Sequence, residues 1–189
     1  MARAREFDID DVLRRSMEVF WRRGYAATSM SDIYAATGLK PGSVYAAFKD
    51  KDGLFRRCFE TYAGHFRSTL PNDRSGLAAI KAWLELQVQL SADDPDRKGC
   101  LIINTVTERD MHSAATRALA QGRLQEIRDF FTRHLTLAIA QGDVDPGLSV
   151  EIHADALLGA VVSIMALGRA GADRRQIEHV AVAMLLMTS

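Results

Sequence analysis

The sequence predicts an all-α chain of about nine helices, and three observations carry that expectation. Strand-like alternation of apolar and polar residues is nearly absent. Apolar residues recur instead at three- and four-residue spacing, as in Ala120, Leu124, Ile127, Phe131, Leu135 and Ala138. Glycine, proline and capping residues then cut the chain into helix-length pieces.

Taken in order, the first helix starts at Asp8 or Asp10, carboxylates suited to an N-cap. It runs through Val12, Leu13, Met17 and Phe20 to a stop at Gly24. The second opens at Ser29, whose hydroxyl can cap the amide of Asp32, and closes at Gly38. Pro41 suits the first turn of a third helix that continues to Phe48, and Asp50 can cap a fourth from Lys51 that extends toward Leu70. The polar run Pro71-Asn72-Asp73-Arg74-Ser75-Gly76 marks the boundary of this unit. Beyond it lie a helix over residues 77–90, a break at Asp93-Asp94-Pro95-Asp96, and a shorter helix over 99–108. The long helix containing Ala120 follows and ends at Gly142. Ser149 caps a helix reaching Ala170, and residues 173–187 form the last.

Composition narrows the function classes. Apolar residues make up 48% and charged residues 25% of the 189, which suits a folded protein that buries a sizeable core, either as one all-helical unit or as a small domain fused to a larger one. The most apolar run near the end, residues 181–187, is far shorter than the roughly 20 residues a bilayer span needs, so no membrane partner is expected. The N-terminus has basic residues with no apolar stretch behind them, which predicts a cytoplasmic protein. Cys58 and Cys100 form no CxxC pair, and His65, His112, His134, His153 and His179 are spread singly, so neither a metal nor a cofactor is expected. Net charge is zero; residues 1–60 carry eleven cations against nine anions, a balance of +2 mirrored by −2 in the rest. Any polyanion contact therefore depends on where charges sit.

The most informative segment is Ser-Met-Ser-Asp-Ile-Tyr-Ala-Ala-Thr-Gly-Leu-Lys-Pro-Gly-Ser-Val-Tyr-Ala-Ala-Phe over residues 29–48. Two short helices joined by a tight turn at Gly38 have helix-turn-helix geometry, whose second helix enters the DNA major groove. Ile33 and Ala36 on one helix, with Val44 and Phe48 on the other, supply the apolar faces that set their crossing. Lys40, Ser43, Tyr45 and Lys49 remain outward, a set of cations and hydroxyls suited to phosphate oxygens and base edges. An enzyme is the competing class, but no GxSxG elbow, phosphate-binding glycine loop, HExxH or dinucleotide fingerprint occurs. A helical adaptor that binds only protein would not need the phosphate-directed cations.

Here the sequence resembles the TetR family of regulators. The match runs through Gly24-Tyr25-Ala26-Ala27-Thr28-Ser29-Met30, Ile33, Thr37-Gly38-Leu39, Gly42-Ser43-Val44-Tyr45 and Phe48-Lys49-Asp50-Lys51-Asp52-Gly53-Leu54-Phe55. The resemblance implies residues 1–60 as a helix-turn-helix DNA-binding domain and residues 61–189 as a helical ligand-binding and dimerisation domain. It implies an Ω-shaped homodimer that represses by holding a palindromic double-stranded operator and releases it when a small-molecule effector binds. Tyr45, Lys49 and Lys51 would hold phosphates while Lys40, Pro41, Gly42, Ser43 and Tyr45 face the groove; Ser29 belongs to the same surface. Two departures matter. Lys40 stands where the family usually has a capping Ser or Thr, and Ala46 and Ala47 offer methyls but no hydrogen bonds, which shifts specificity toward DNA shape. Arg3 and Arg5 are a candidate minor-groove arm or plain solvated charge.

The two last helices are apolar on more than one side, which suggests a dimer interface at Leu157, Leu158, Val161, Val162, Met165, Val180 and Met184 or, alternatively, burial inside the domain. Trp83, Ile103, Phe130 and Phe131, with Leu86 and Ile102 beside them, are candidate lining for an effector cavity or simply core. Cys100 follows Arg97 and Lys98 at a helix start, where a stabilised thiolate would sense oxidants or electrophiles; the alternative is a small buried hydrophobe.

Overall fold

The computed structural model describes residues 7–188, and the candidate arm at Arg3 and Arg5 lies outside them. Among the described residues there are nine α-helices and no strand. They are α1 Ile9–Arg23, α2 Met30–Thr37, α3 Pro41–Phe48, α4 Lys51–Ser68, α5 Gly76–Ala92, α6 Leu101–Thr107, α7 Ala114–Gln141, α8 Val150–Ala170 and α9 Arg174–Met187.

Asp8, not Asp10, caps α1, accepting hydrogen bonds from the amides of Asp10 at 2.9 Å and Asp11 at 3.3 Å. Asp10 and Asp11 then sit in the first turn, where their charge complements the helix dipole. The short helix after the 93–96 break is tighter than expected. It ends at Thr107, and a 3₁₀ turn over Arg109–Met111 leads to Ser113, which caps α7 through the amide of Thr116. α4 runs without interruption past residue 60 to Ser68.

α1 packs on α2 and α4 around Phe20, Ile33, Leu54, Phe55 and Phe59, all at most 1% exposed. In the second half, α5 lies against α7, α8 and α9, and α7 against α8. Apolar burial runs continuously through both halves. Three of the expected interface residues need correction: Leu157, Val161 and Met165 are 0%, 1% and 5% exposed within a single chain, so they face α5, α7 or α9 rather than open surface. Leu158, Val162, Val180 and Met184 are half-buried on the chain's outside. α8 also corrects the reading of the apolar runs. It has 21 residues and a window of mean hydropathy 1.7, long and apolar enough to cross a membrane by length and composition, yet only 33% of that window is buried within the chain.

Several polar ties fix the first four helices on the rest. The Trp21 indole N–H donates to the Gly99 carbonyl at 2.9 Å. Arg22 makes a forked pair with Asp96 at 2.8 and 2.5 Å, and Lys98 reaches Glu18 at 3.1 Å. The Glu108 carboxylate accepts the Tyr25 amide at 2.9 Å. Asp52 accepts from Ser113 at 3.0 Å and from Thr116 at 2.8 Å.

Candidate DNA interface

The site is built on α2, the turn at Gly38, and α3. A full capping box opens α2: Ser29 Oγ accepts the Asp32 amide at 3.2 Å, while Asp32 accepts the Ser29 amide at 2.8 Å. The Ser29 hydroxyl also donates to Asp32 at 2.7 Å, so it is committed to the cap. These bonds hold the Asp32 carboxyl below the usual carboxylate range, with Arg23 assisting. Gly38 then reverses the chain at φ 72°, and its amide donates to the Tyr34 carbonyl at 2.9 Å. A side chain there would be strained by the left-handed backbone.

Lys40 stands at the N-cap of α3 and makes no side-chain cap bond, and Pro41 occupies the first helical turn. Val44 and Phe48 are buried at 2% and 5%, which fixes the face α3 turns inward. Lys40, Pro41, Gly42, Ala46, Ala47 and Lys49 are exposed, Ser43 is half-buried, and Tyr45 is 74% exposed. Tyr45 is thus the large side chain that α3 turns outward, opposite the buried Val44 and Phe48.

The corner after α3 explains the residues Phe48-Lys49-Asp50-Lys51-Asp52-Gly53. Lys49 adopts φ 69° and ψ −57°, a γ-turn in which the Asp50 amide donates to the Phe48 carbonyl at 2.9 Å. Asp50 caps α4 by accepting the Gly53 amide at 2.7 Å. A Cβ at residue 53 would stand 2.1 Å from the Phe48 oxygen, so the corner closes only around glycine. Lys51 is less available than Lys49: its ammonium lies 4.2 Å from the centre of the Tyr25 ring, and burial lowers its pKa.

The sequence reading missed the arginines of α1. Arg14, Arg15, Arg22 and Arg23 line a groove of about 700 Å³ floored by Val19, Ala35 and Ala36, beside the helix-turn-helix. Their signal was visible as two Arg-Arg pairs eight residues apart, which share one face of a helix. The carboxylates of Asp11, Glu18, Asp32 and Asp96 hold them in place.

The candidates in the second half lie elsewhere. Trp83, Ile103, Phe130 and Phe131 are at most 4% exposed. Trp83 meets the rings of Phe130 at 5.2 Å and Phe131 at 5.5 Å. Cys100 corrects the expectation of a stabilised thiolate. It is 2% exposed, receives a hydrogen bond from the Tyr62 hydroxyl at 3.4 Å, and burial pushes its thiol pKa up. Lys98 lies over the Trp21 ring and binds Glu18. Among the described residues no group of three His, Cys, Asp or Glu is placed to hold a metal ion.

Residues 12–58 match the family model described as bacterial regulatory proteins, tetR family, and residues 76–184 match the one described as tetracyclin repressor-like, C-terminal domain. The chain is 27% identical over 185 residues to the HTH-type transcriptional repressor ComR of Escherichia coli (strain K12), covering 95% of this chain and 88% of that protein. It is 27% identical over 194 residues to the HTH-type transcriptional regulator YezE of Bacillus subtilis (strain 168), covering 99% and 100%. Among solved structures, it is similar to a cysteine-substituted TetR family regulator CifR in complex with 26-bp double-strand operator DNA. That likeness has a TM-score of 0.86 and 27% identity and covers 100% of both chains.

Proposed function

Given that the chain belongs to the TetR family of bacterial regulatory proteins, we propose that it represses transcription as a homodimer on a palindromic operator and lets go when a small effector binds its second half. It is a DNA-binding transcriptional regulator by family, and the reading extends to a cytoplasmic protein without enzymatic chemistry. The observation that carries DNA contact is the open face of α3, with Tyr45 standing out at 74% exposure over a buried Val44 and Phe48. The DNA complex of CifR supports it. In this reading residues 1–60 grip DNA. Tyr45 and Lys49 touch phosphates; Lys40, Pro41, Gly42 and Ser43 approach base edges; Ser29 acts through its cap. Lys51 assists from over the Tyr25 ring.

Residues 61–189 then hold the dimer and the effector. The uncovered apolar side of α8 supports the dimer, with half-buried Leu158 and Val162 of α8 and Val180 and Met184 of α9 packing against a second copy. Trp83, Ile103, Phe130 and Phe131 are the proposed effector neighbourhood.

The test is retardation of an operator recovered by selection from random duplexes. Lys49→Ala weakens binding to all sequences alike and reduces the slope of log affinity against log salt by about one. A complex whose affinity ignores salt, or a Tyr45→Ala and Lys49→Ala pair that binds as the parent does, overturns the assignment.

A further inference from the structure

The stripe of α5 that faces the core contains Trp83, Gln87 and Ser91, one helical turn apart. Two of the three polar groups are satisfied: the Trp83 indole donates to Thr69 at 3.2 Å, and Ser91 donates to the Ile164 carbonyl at 2.8 Å. Gln87 lies between them at 0% exposure, and neither its amide nitrogen nor its oxygen has a partner. A buried amide left unpaired is costly, and a bundle needing only stability would have Leu or Met there. A second buried group repeats the pattern on α7. His134 is 4% exposed, its ring meets Phe130 at a tilt with centroids 4.5 Å apart, its Nε2 lies 3.4 Å from the Arg133 guanidinium, and its Nδ1 has no partner. Trp83, one turn before Gln87, and Phe130, which meets His134, join with Phe131 in a cluster of rings 5.2 to 5.5 Å apart.

We infer that this α5–α7 seam is the closed form of the effector site, and that it takes a flat, uncharged aromatic molecule that hydrogen-bonds to Gln87. The inference rests on the effector reading above and names its ligand class. Lack of charge follows from the lining: among the described residues no Lys, Arg, Asp or Glu is buried, and the Arg133 guanidinium beside His134 Nε2 belongs to an exposed residue, so an ionised ligand within the seam would lack a buried counter-charge. Opening the seam exchanges ring–ring contacts for ring–ligand contacts of similar kind. The gain on binding is the hydrogen bonds that Gln87 lacks when closed, which is the differential affinity a population shift requires.

The experiment is thermal unfolding of the full chain with naphthalene, 2-naphthamide or 2-naphthoate, in the parent and in Gln87→Leu. Without probe, Gln87→Leu raises Tm by roughly 2 °C or more, because an unpaired polar group has been removed. 2-Naphthamide raises the parent's Tm more than naphthalene does, 2-naphthoate leaves it unchanged, and the 2-naphthamide increment is lost in Gln87→Leu. Gln87→Met, which keeps the side-chain length, replaces the leucine variant if that fails to fold. A lower Tm in the probe-free variant shows that the amide has partners and overturns the inference. So does an equal 2-naphthamide shift in both proteins, a larger shift with 2-naphthoate, or no shift with any probe. Operator retardation by the parent separates the two readings: if DNA is held while the probes fail, only the ligand class falls.

Discussion

Replacing Gly53 by alanine sets two rules against each other. Helix propensity alone favours alanine inside α4 by up to about 1 kcal/mol. The corner opposes it, because the added Cβ would sit 2.1 Å from the Phe48 carbonyl oxygen, where ordinary contact begins at 3.4 Å. That oxygen has to retreat by about 1.3 Å. It is also the acceptor for Asp50, and Asp50 in turn caps Gly53. Loss of one hydrogen bond and one cap costs about 2 kcal/mol together, so the net destabilisation is about 1 to 2 kcal/mol. For a chain of this size that lowers Tm by roughly 2 to 8 °C. Operator affinity falls further than stability, because the same corner sets the direction of α3 and places Asp52 under Ser113 and Thr116. Calorimetric melting and gel retardation measure the two effects separately. An alanine variant that melts at or above the parent and holds DNA equally would refute the corner argument outright, since the sign itself is at stake.

Other outcomes follow from burial. Leu158→Lys yields folded monomers by light scattering, whereas Leu157→Lys unfolds the chain because residue 157 is 0% exposed; unchanged dimer mass in Leu158→Lys moves the interface off α8. His112 and His134 have pKa values lowered from 6.5, chiefly by burial. A depressed folded pKa means stability that is present above 6.5 and lost as pH falls, so Tm declines between pH 7 and 5. His112→Phe keeps the ring contacts with Tyr25 and Phe55 and flattens the decline; an unchanged slope rejects this account. The loss from Asp11, Asp32 and Asp155, lowered from 3.8 by arginine and serine hydrogen bonds, comes in a separate window at lower pH. Burial pushes the Cys58 thiol up to about 12 and raises Cys100 as well. Iodoacetamide at pH 8 therefore labels neither thiol faster than the chain unfolds, and rapid native labelling of Cys100 would revive a sensor role.

Local rules carried the sequence reading as far as local rules reach. Ser29, Gly38, Pro41 and Asp50 act on residues two to four positions away, and each does in the fold what its chemistry demands. Asp8 and Asp10 were indistinguishable because both are carboxylates ahead of the same apolar face. Leu157, Val161 and Met165 were misplaced for a different reason: a helix apolar on several sides shows that it is covered, not by what. Periodicity alone has no term for α5, α7 and α9 arriving from other parts of the chain. Cys100 failed in the same manner. Its neighbours Arg97 and Lys98 are adjacent in sequence, but Lys98 turns to Glu18, eighty residues away, while Tyr62 closes over the sulfur. Gln87 could not be singled out at all, since an unpaired amide is a statement about every group that does not come near it.

α7 has 28 residues and is therefore about 42 Å long. Its start is pinned to α4 through Asp52, and Gln141 at its far end binds Ser75 at 3.1 Å. Such a rod converts angle into distance. A tilt of 3° about the far end swings the first turn by about 2 Å, several times what a hydrogen bond tolerates. Either the bonds to Asp52 snap or α4 is carried along, with α3 on its other side. Repacking of a ring near His134 that would hardly register where it occurs is thus magnified by leverage before it arrives beneath α3.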